Sequence, residues 1–185
     1  MGLPPELCRY PSARYVVLPV PYEGTVSYAK GTGDGPKAII TASQQVEWFD
    51  EELEAEFVQA GIATADYVEP AKTVDEQLAR VKAAAVPHVQ AGKFLLTLGG
   101  EHSITPPLVA AVAEQYGEVS VLQIDAHADL RDAYMGNRLS HASVMRRVVE
   151  RARCTQVGIR SLSEEEARAL PSLATTVFYL SLIHI

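Results

Sequence analysis

The sequence predicts an α/β fold, a mostly parallel sheet with helices on both faces. Three observations point there. Short apolar runs rich in β-branched residues alternate with helical patterns from Tyr15 onward, the signature of βαβ units. One run, Phe94–Leu98 (FLLTL), is apolar without a break except for Thr97, as expected of a strand buried on both faces of such a sheet. And 185 residues with 48% apolar and 21% charged side chains suffice for one core, whether of a complete domain or part of a larger one.

In chain order, Tyr15–Val20 (YVVLPV) is the first strand, closed by Pro19 and Pro21. The loop from Tyr22 to Pro36 carries Gly24, Gly31, Gly33 and Gly35. Such glycines can cradle a phosphate, but the lysine and Ser/Thr of a P-loop are not in place, so the reading is a surface loop. Pro36 opens a helix to Ala42, proline being favoured in a first turn. Val46–Phe57 fits strand or loop, and Ile62–Val68 a strand. Thr73–Ala91 is a helix: Thr73 caps it, Glu76 follows three residues on, and Val74, Leu78, Val81 and Ala85 recur at helical spacing. Pro87 is placed to kink its end. His88 falls in the last turn, where a histidine faces the helix dipole. After FLLTL, Pro106–Tyr116 reads as a helix and Val119–Ile124 (VSVLQI) as a strand. Ser143–Arg153 is a basic amphipathic helix and Thr155–Ile159 a strand. Ser163–Leu170 is a helix with a Ser163/Glu166 capping pattern. Val177–Leu182 is the last apolar run.

The net charge is −7. No basic patch is visible, so no nucleic-acid partner is expected. No apolar run reaches the roughly 18–20 residues of a membrane helix, and Met1–Pro5 lacks the pattern of a secretory signal. Cys8 and Cys154 are far apart and lack metal-type spacing. They read as unpaired thiols, which places the chain in the cytoplasm.

The densest chemical signal is Asp125-Ala126-His127-Ala128-Asp129. If the preceding strand stays extended, side chains two apart share a face, and Asp125, His127 and Asp129 converge. Carboxylates with imidazole suit Mn²⁺, Zn²⁺ or Fe²⁺. His102, just past FLLTL and after Gly99-Gly100, is a fourth candidate ligand. The two glycines fit a sharp turn or a close backbone approach beside a ligand. His141, at a helix entry, is a candidate proton shuttle, since an imidazole titrates near physiological pH. On spacing alone it is equally an ordinary loop histidine.

At these residues the sequence resembles the arginase/agmatinase family of ureohydrolases, in its agmatinase-like branch. Gly99-Gly100-Glu101-His102-Ser103 is similar to the family's first metal motif and Asp125-Ala126-His127-Ala128-Asp129 to its second. Val20-Pro21-Tyr22, Gly31 to Gly35-Pro36, Ala38-Ile39 and Gln156-Val157-Gly158-Ile159-Arg160-Ser161 agree as well. The resemblance implies a three-layer arginase-like fold. It also implies hydrolysis of a guanidino compound, agmatine to putrescine and urea, by hydroxide activated between two Mn²⁺ ions. By the same resemblance His102 and Asp129 bind one ion, His127 the other, Asp125 bridges both, and His141 shuttles protons. Leu130-Arg131-Asp132-Ala133-Tyr134 after the second motif looks more like enzymes for agmatine than for arginine; a guanidinobutyrase or an arginase of the same family is the alternative. A homo-oligomer, trimer or hexamer, is implied for the family. A non-catalytic assembly protein that kept the fold is the competing class.

The family's third motif, Asp-x-Asp in a strand, is absent. Residues 1–13 are expected to be an N-terminal extension and 14–179 the N-terminal part of one ureohydrolase domain, incomplete at its C-terminus. Residues 180–185 read as a non-native tail. Alternatively Ile183 and Ile185 replace the aspartates, with His184 as a substitute ligand. Four positive charges from two Mn²⁺ face only Asp125 and Asp129, and unbalanced buried charge is costly. The expectation is one tightly held ion at most and little activity from this chain alone.

Overall fold

The computed structural model describes residues 2–183; His184 and Ile185, and the ligand role considered for His184, lie outside them. Eight strands and six helices follow in the order β1 (Tyr15–Val20), α1 (Gly35–Ala42), β2 (Phe49–Asp50), β3 (Ala55–Glu56), β4 (Ile62–Thr64), α2 (Val74–Gln90), β5 (Phe94–Gly99), α3 (Thr105–Tyr116), β6 (Ser120–Ile124), α4 (Val144–Val149), β7 (Arg153–Ile159), α5 (Glu164–Ala169), β8 (Thr175–Tyr179) and α6 (Leu180–Ile183). The α/β class and the parallel pairing are as expected. They are divided between two three-stranded parallel sheets, ordered β4-β1-β5 and β6-β7-β8. The stretch 46–57 forms the small antiparallel β2–β3 hairpin.

β1 is central in its sheet, and Val16–Val20 are all buried. This is the pattern of a strand covered on both faces. Leu18, Val20, Val81, Ala85, Ile104 and Ala111 join β1, α2 and α3 in one core. A second core holds Ala128, Leu130, Val144, Val148, Cys154 and Ile159 against β7 and α4. Thr73 caps α2 as read from the sequence, its side chain accepting from the Glu76 N–H. Pro87 does not end that helix. His88 falls in the last turn of α2, as expected; burial lowers its pKa, and its Nδ1 lies 3.0 Å from the Tyr10 hydroxyl.

The expectation for FLLTL fails on one face. β5 is an edge strand, and Phe94 and Leu96 are 61% and 49% exposed. β6, the next strand in the chain, is also at an edge and exposes Leu122 and Ile124. Among the described residues no ladder joins β5 to β6. An apolar run marks a strand with two apolar faces; it does not say whether both are covered. Free parallel edges of this kind template association. The basic helix is also shorter than its pattern, ending at Val149, and Arg147 on it is buried against Asp132 and Glu150. Both cysteines are free thiols, and among the described residues no helix is long and apolar enough to cross a membrane.

Candidate metal centre

His102 follows β5, and Asp125 follows β6. Both stand at the carboxyl ends of parallel strands, where α/β sheets place their ligands. His102 Nε2 lies 3.5 Å from Asp129 Oδ2, and His102 Nδ1 lies 3.8 Å from Asp125 Oδ2. Asp125 turns its other oxygen, Oδ1, toward His127 Nδ1 at 3.7 Å. One donor atom from each of His102, Asp125 and Asp129 falls within 4.8 Å of the others. His127 is beside this group but not in it, and its side chain is 64% exposed.

The expected extended course of 125–129 is only half realised. β6 stops at Ile124, and Asp129 takes φ 52°, a left-handed conformation uncommon for a residue with a Cβ. Convergence is achieved by this turn instead. The segment is pinned to the chain after β7: Ala128 N–H donates to Ser161, while Arg160 and Ser161 N–H donate to Ala126. The Asp129 carbonyl in turn accepts from Met145 and Arg146 at the start of α4.

Burial pushes the Asp129 carboxyl up to about 7, with the negative charges of Asp125 and Glu166 adding to it and His127 opposing. Its Oδ2 is buried without a hydrogen-bond partner. A buried, unpartnered carboxylate beside a second carboxylate is costly unless a cation is present. The donor set of two carboxylates and an imidazole fits a divalent metal of intermediate hardness.

Three supports were not read as such in the sequence. Glu166 is buried, and its Oε1 accepts from the Leu130 N–H at 2.8 Å, while Oε2 caps α5 through Ser163. The capping pattern was visible, but not the second contact across 36 residues. Gln156, fully buried, donates to the Ala128 carbonyl at 2.7 Å. Gly158 has φ +89°, and a Cβ there would stand 3.2 Å from the Asp125 carbonyl oxygen. We therefore expect Gly158→Ala to cost about 1–2 kcal/mol in stability and to displace Asp125. Denaturant melts with and without Mn²⁺ check this: equal stability and an unchanged metal response would refute it. Gly100 does make the close backbone approach expected of it, but to the Tyr22 carbonyl rather than to a ligand.

His141 sits near the three-donor group, its ring stacked on His102 at 6.4 Å between centroids, with Tyr134 edge-on at 5.7 Å. His102, His127, Asp129, Tyr134 and His141 line one open cleft of about 610 Å³. The structure thus brings all five sequence-predicted residues to one place, with His127 and His141 at the margin.

A family model described as the arginase family matches residues 13–184. The chain is 41% identical over 177 residues to an N(1)-aminopropylagmatine ureohydrolase of Thermus thermophilus, covering 95% of this chain and 60% of that protein. It is 33% identical to an agmatinase of Bacillus anthracis, covering 85% of this chain and 56% of the relative. Among solved structures, the agmatine ureohydrolase of Thermoplasma volcanium superposes with a TM-score of 0.84 at 31% identity, over 92% of this chain and 58% of that one. The chain spans 60% and 56% of the length of these two curated relatives.

Proposed function

The chain belongs to the arginase family, and from that premise we propose that it carries the first two metal motifs of an agmatinase-type ureohydrolase. The observation that carries the proposal is the buried Asp129 carboxyl group, whose Oδ2 makes no hydrogen bond and lies beside His102 and Asp125. In this reading His102 and Asp129 would hold one Mn²⁺ and His127 a second, and Asp125, with one oxygen toward His102 and the other toward His127, would serve both. The bound ions supply Lewis-acid activation of the attacking water. His141, which lines the same cleft as His102, His127 and Asp129, would carry a proton between the cleft and solvent. The guanidinium carbon is a poor electrophile, so positioning matters as much as activation.

The substrate is a linear guanidino amine. Agmatine is the reading from the sequence; the Thermus relative's name adds N(1)-aminopropylagmatine, which differs by a longer amine tail. Urea release by a chain as long as the matched relatives tests the reading on agmatine, N(1)-aminopropylagmatine, guanidinobutyrate and arginine. Fastest turnover of one of the two amines is expected. Urea from none of the four, with Mn²⁺ present, overturns it. For the 185-residue chain, calorimetric titration should register at most one tight Mn²⁺; two would refute the charge argument.

A further inference from the structure

Glu101, half-buried after β5, collects donors. Thr25 Oγ1 lies 2.8 Å from its Oε1, and Thr25 N 3.3 Å from the same oxygen. Ser103 Oγ reaches Oε1 at 2.8 Å, and Ser103 N reaches Oε2 at 2.7 Å. Both backbone groups can only donate. An ionised carboxylate can only accept, so the single proton of the Thr25 hydroxyl is committed to Glu101, in a charge-assisted bond stronger than its neutral alternatives.

The Thr25 oxygen then has two lone pairs left, and two groups of His141 face it. The His141 backbone N–H donates to it at 2.9 Å. The ring Nδ1 stands 3.3 Å away. With the hydroxyl proton already committed, Nδ1 satisfies that contact only by donating. The neutral ring therefore carries its proton on Nδ1 and keeps its lone pair on Nε2.

We propose that Thr25, oriented by Glu101, is a positioning residue that fixes the tautomer of His141. The proposal rests on the reading of His141 as the proton shuttle. The relay joins three loops: Thr25 follows β1, Glu101 follows β5, and His141 precedes α4. It explains why the motif glutamate next to His102 stays out of the three-donor metal group: its oxygens are taken up by Thr25 and Ser103. A shuttle that must accept a proton needs one ring nitrogen reliably unprotonated. Without Thr25 the neutral imidazole is free to exchange tautomers, and part of the population presents the wrong nitrogen.

The test is long-range ¹H–¹⁵N correlation of the histidine rings in the metal-free 185-residue chain at pH 8.5, with His141→Gln to assign the His141 signals. The expected wild-type signature is Nδ1–H with an unprotonated Nε2. Thr25→Val should shift the His141 signals toward the Nε2–H form, and Thr25→Ser should restore them. Glu101→Gln reads the same relay should Thr25→Val fail to fold: its amide can donate to the Thr25 oxygen, releasing the hydroxyl to donate to Nδ1, so the same shift is expected. An Nε2–H wild type, or folded variants with an unchanged tautomer, would overturn the proposal. Because the readout needs neither metal nor substrate, an intact Nδ1–H signature in a protein that releases no urea counts against the proposed reaction and not against the relay.

Discussion

Asp129→Asn is expected to stabilise the metal-free chain at pH 8 while abolishing its response to Mn²⁺. The Asp129 carboxyl has its pKa pushed up to about 7, first by burial and then by Asp125, against roughly 3.9 in an unfolded chain. Its folded value is raised, so the folded state holds the proton more tightly than the unfolded one. Below about pH 4 both states are protonated and there is no penalty. As pH rises toward 7 the unfolded carboxyl ionises first, and stability falls. Above about 7 the penalty is complete, on the order of 2–4 kcal/mol. The asparagine removes that charge but leaves a buried amide, so the net gain at pH 8 should be about 1–2 kcal/mol, or roughly 2–8 °C in melting temperature. At pH 4, where the charge penalty is absent and only the buried amide remains, the variant should melt below the wild type by the equivalent of about 1–2 kcal/mol. With Mn²⁺ at a hundred times its dissociation constant, the wild type gains about 2.7 kcal/mol; the variant gains close to nothing. A variant that melts lower than wild type at pH 8, or still responds to Mn²⁺, would show that Asp129 is a structural acid and not a ligand.

That opposition between stability and binding explains which parts of the site were legible in the sequence. Asp125, His127 and Asp129 stand out because such residues directly after an apolar run have no role in a core, and His102 because it repeats the placement. What the spacing could not convey is the turn. Alternation suggested an extended segment with three side chains on one face. The left-handed Asp129 instead brings its carboxylate to His102 and leaves His127 exposed at the rim. Backbone reversals at a non-glycine residue leave no composition signal. Strand positions were readable from apolar runs, to within a residue or two for β1 and β5. Burial was not, because the face of β5 bearing Phe94 and Leu96 depends on what covers it, not on its own sequence. The relay through Thr25 and Glu101 was hidden for a third reason. Each residue is common, and Thr25 meets Glu101 across 76 residues of chain and His141 across 116.

Glu166 is where the largest loss of stability is expected. Its carboxylate is 3% exposed and holds three groups at once: Leu130 N–H at 2.8 Å, Ser163 N–H at 2.6 Å and Ser163 Oγ at 2.8 Å. Arg131 Nε, at 3.8 Å, is the nearest cation. Glu166→Ala would orphan the buried Leu130 N–H, at about 1–3 kcal/mol, and remove half of the capping box of α5, at about 0.5–2 kcal/mol. Against this stands one gain, since Glu166 is among the charges that raise the Asp129 pKa. The net expectation is a loss of about 2–4 kcal/mol in urea melts at pH 7. Glu166→Gln separates the contributions. Its carbonyl oxygen can still serve Leu130, but its amide nitrogen then meets the Ser163 N–H donor to donor. About half the loss should therefore remain. The metal response carries the mechanistic content. Leu130 directly follows Asp129, so freeing its N–H loosens the turn that aims the carboxylate at His102. Mn²⁺ affinity should fall about tenfold in Glu166→Ala, within the range typical of residues that orient metal ligands. Undiminished affinity in a destabilised variant would mean that the turn at Asp129 is held without Glu166, by the bonds to Met145, Arg146, Ser161 and Gln156, and that Glu166 serves α5 and not the candidate metal centre.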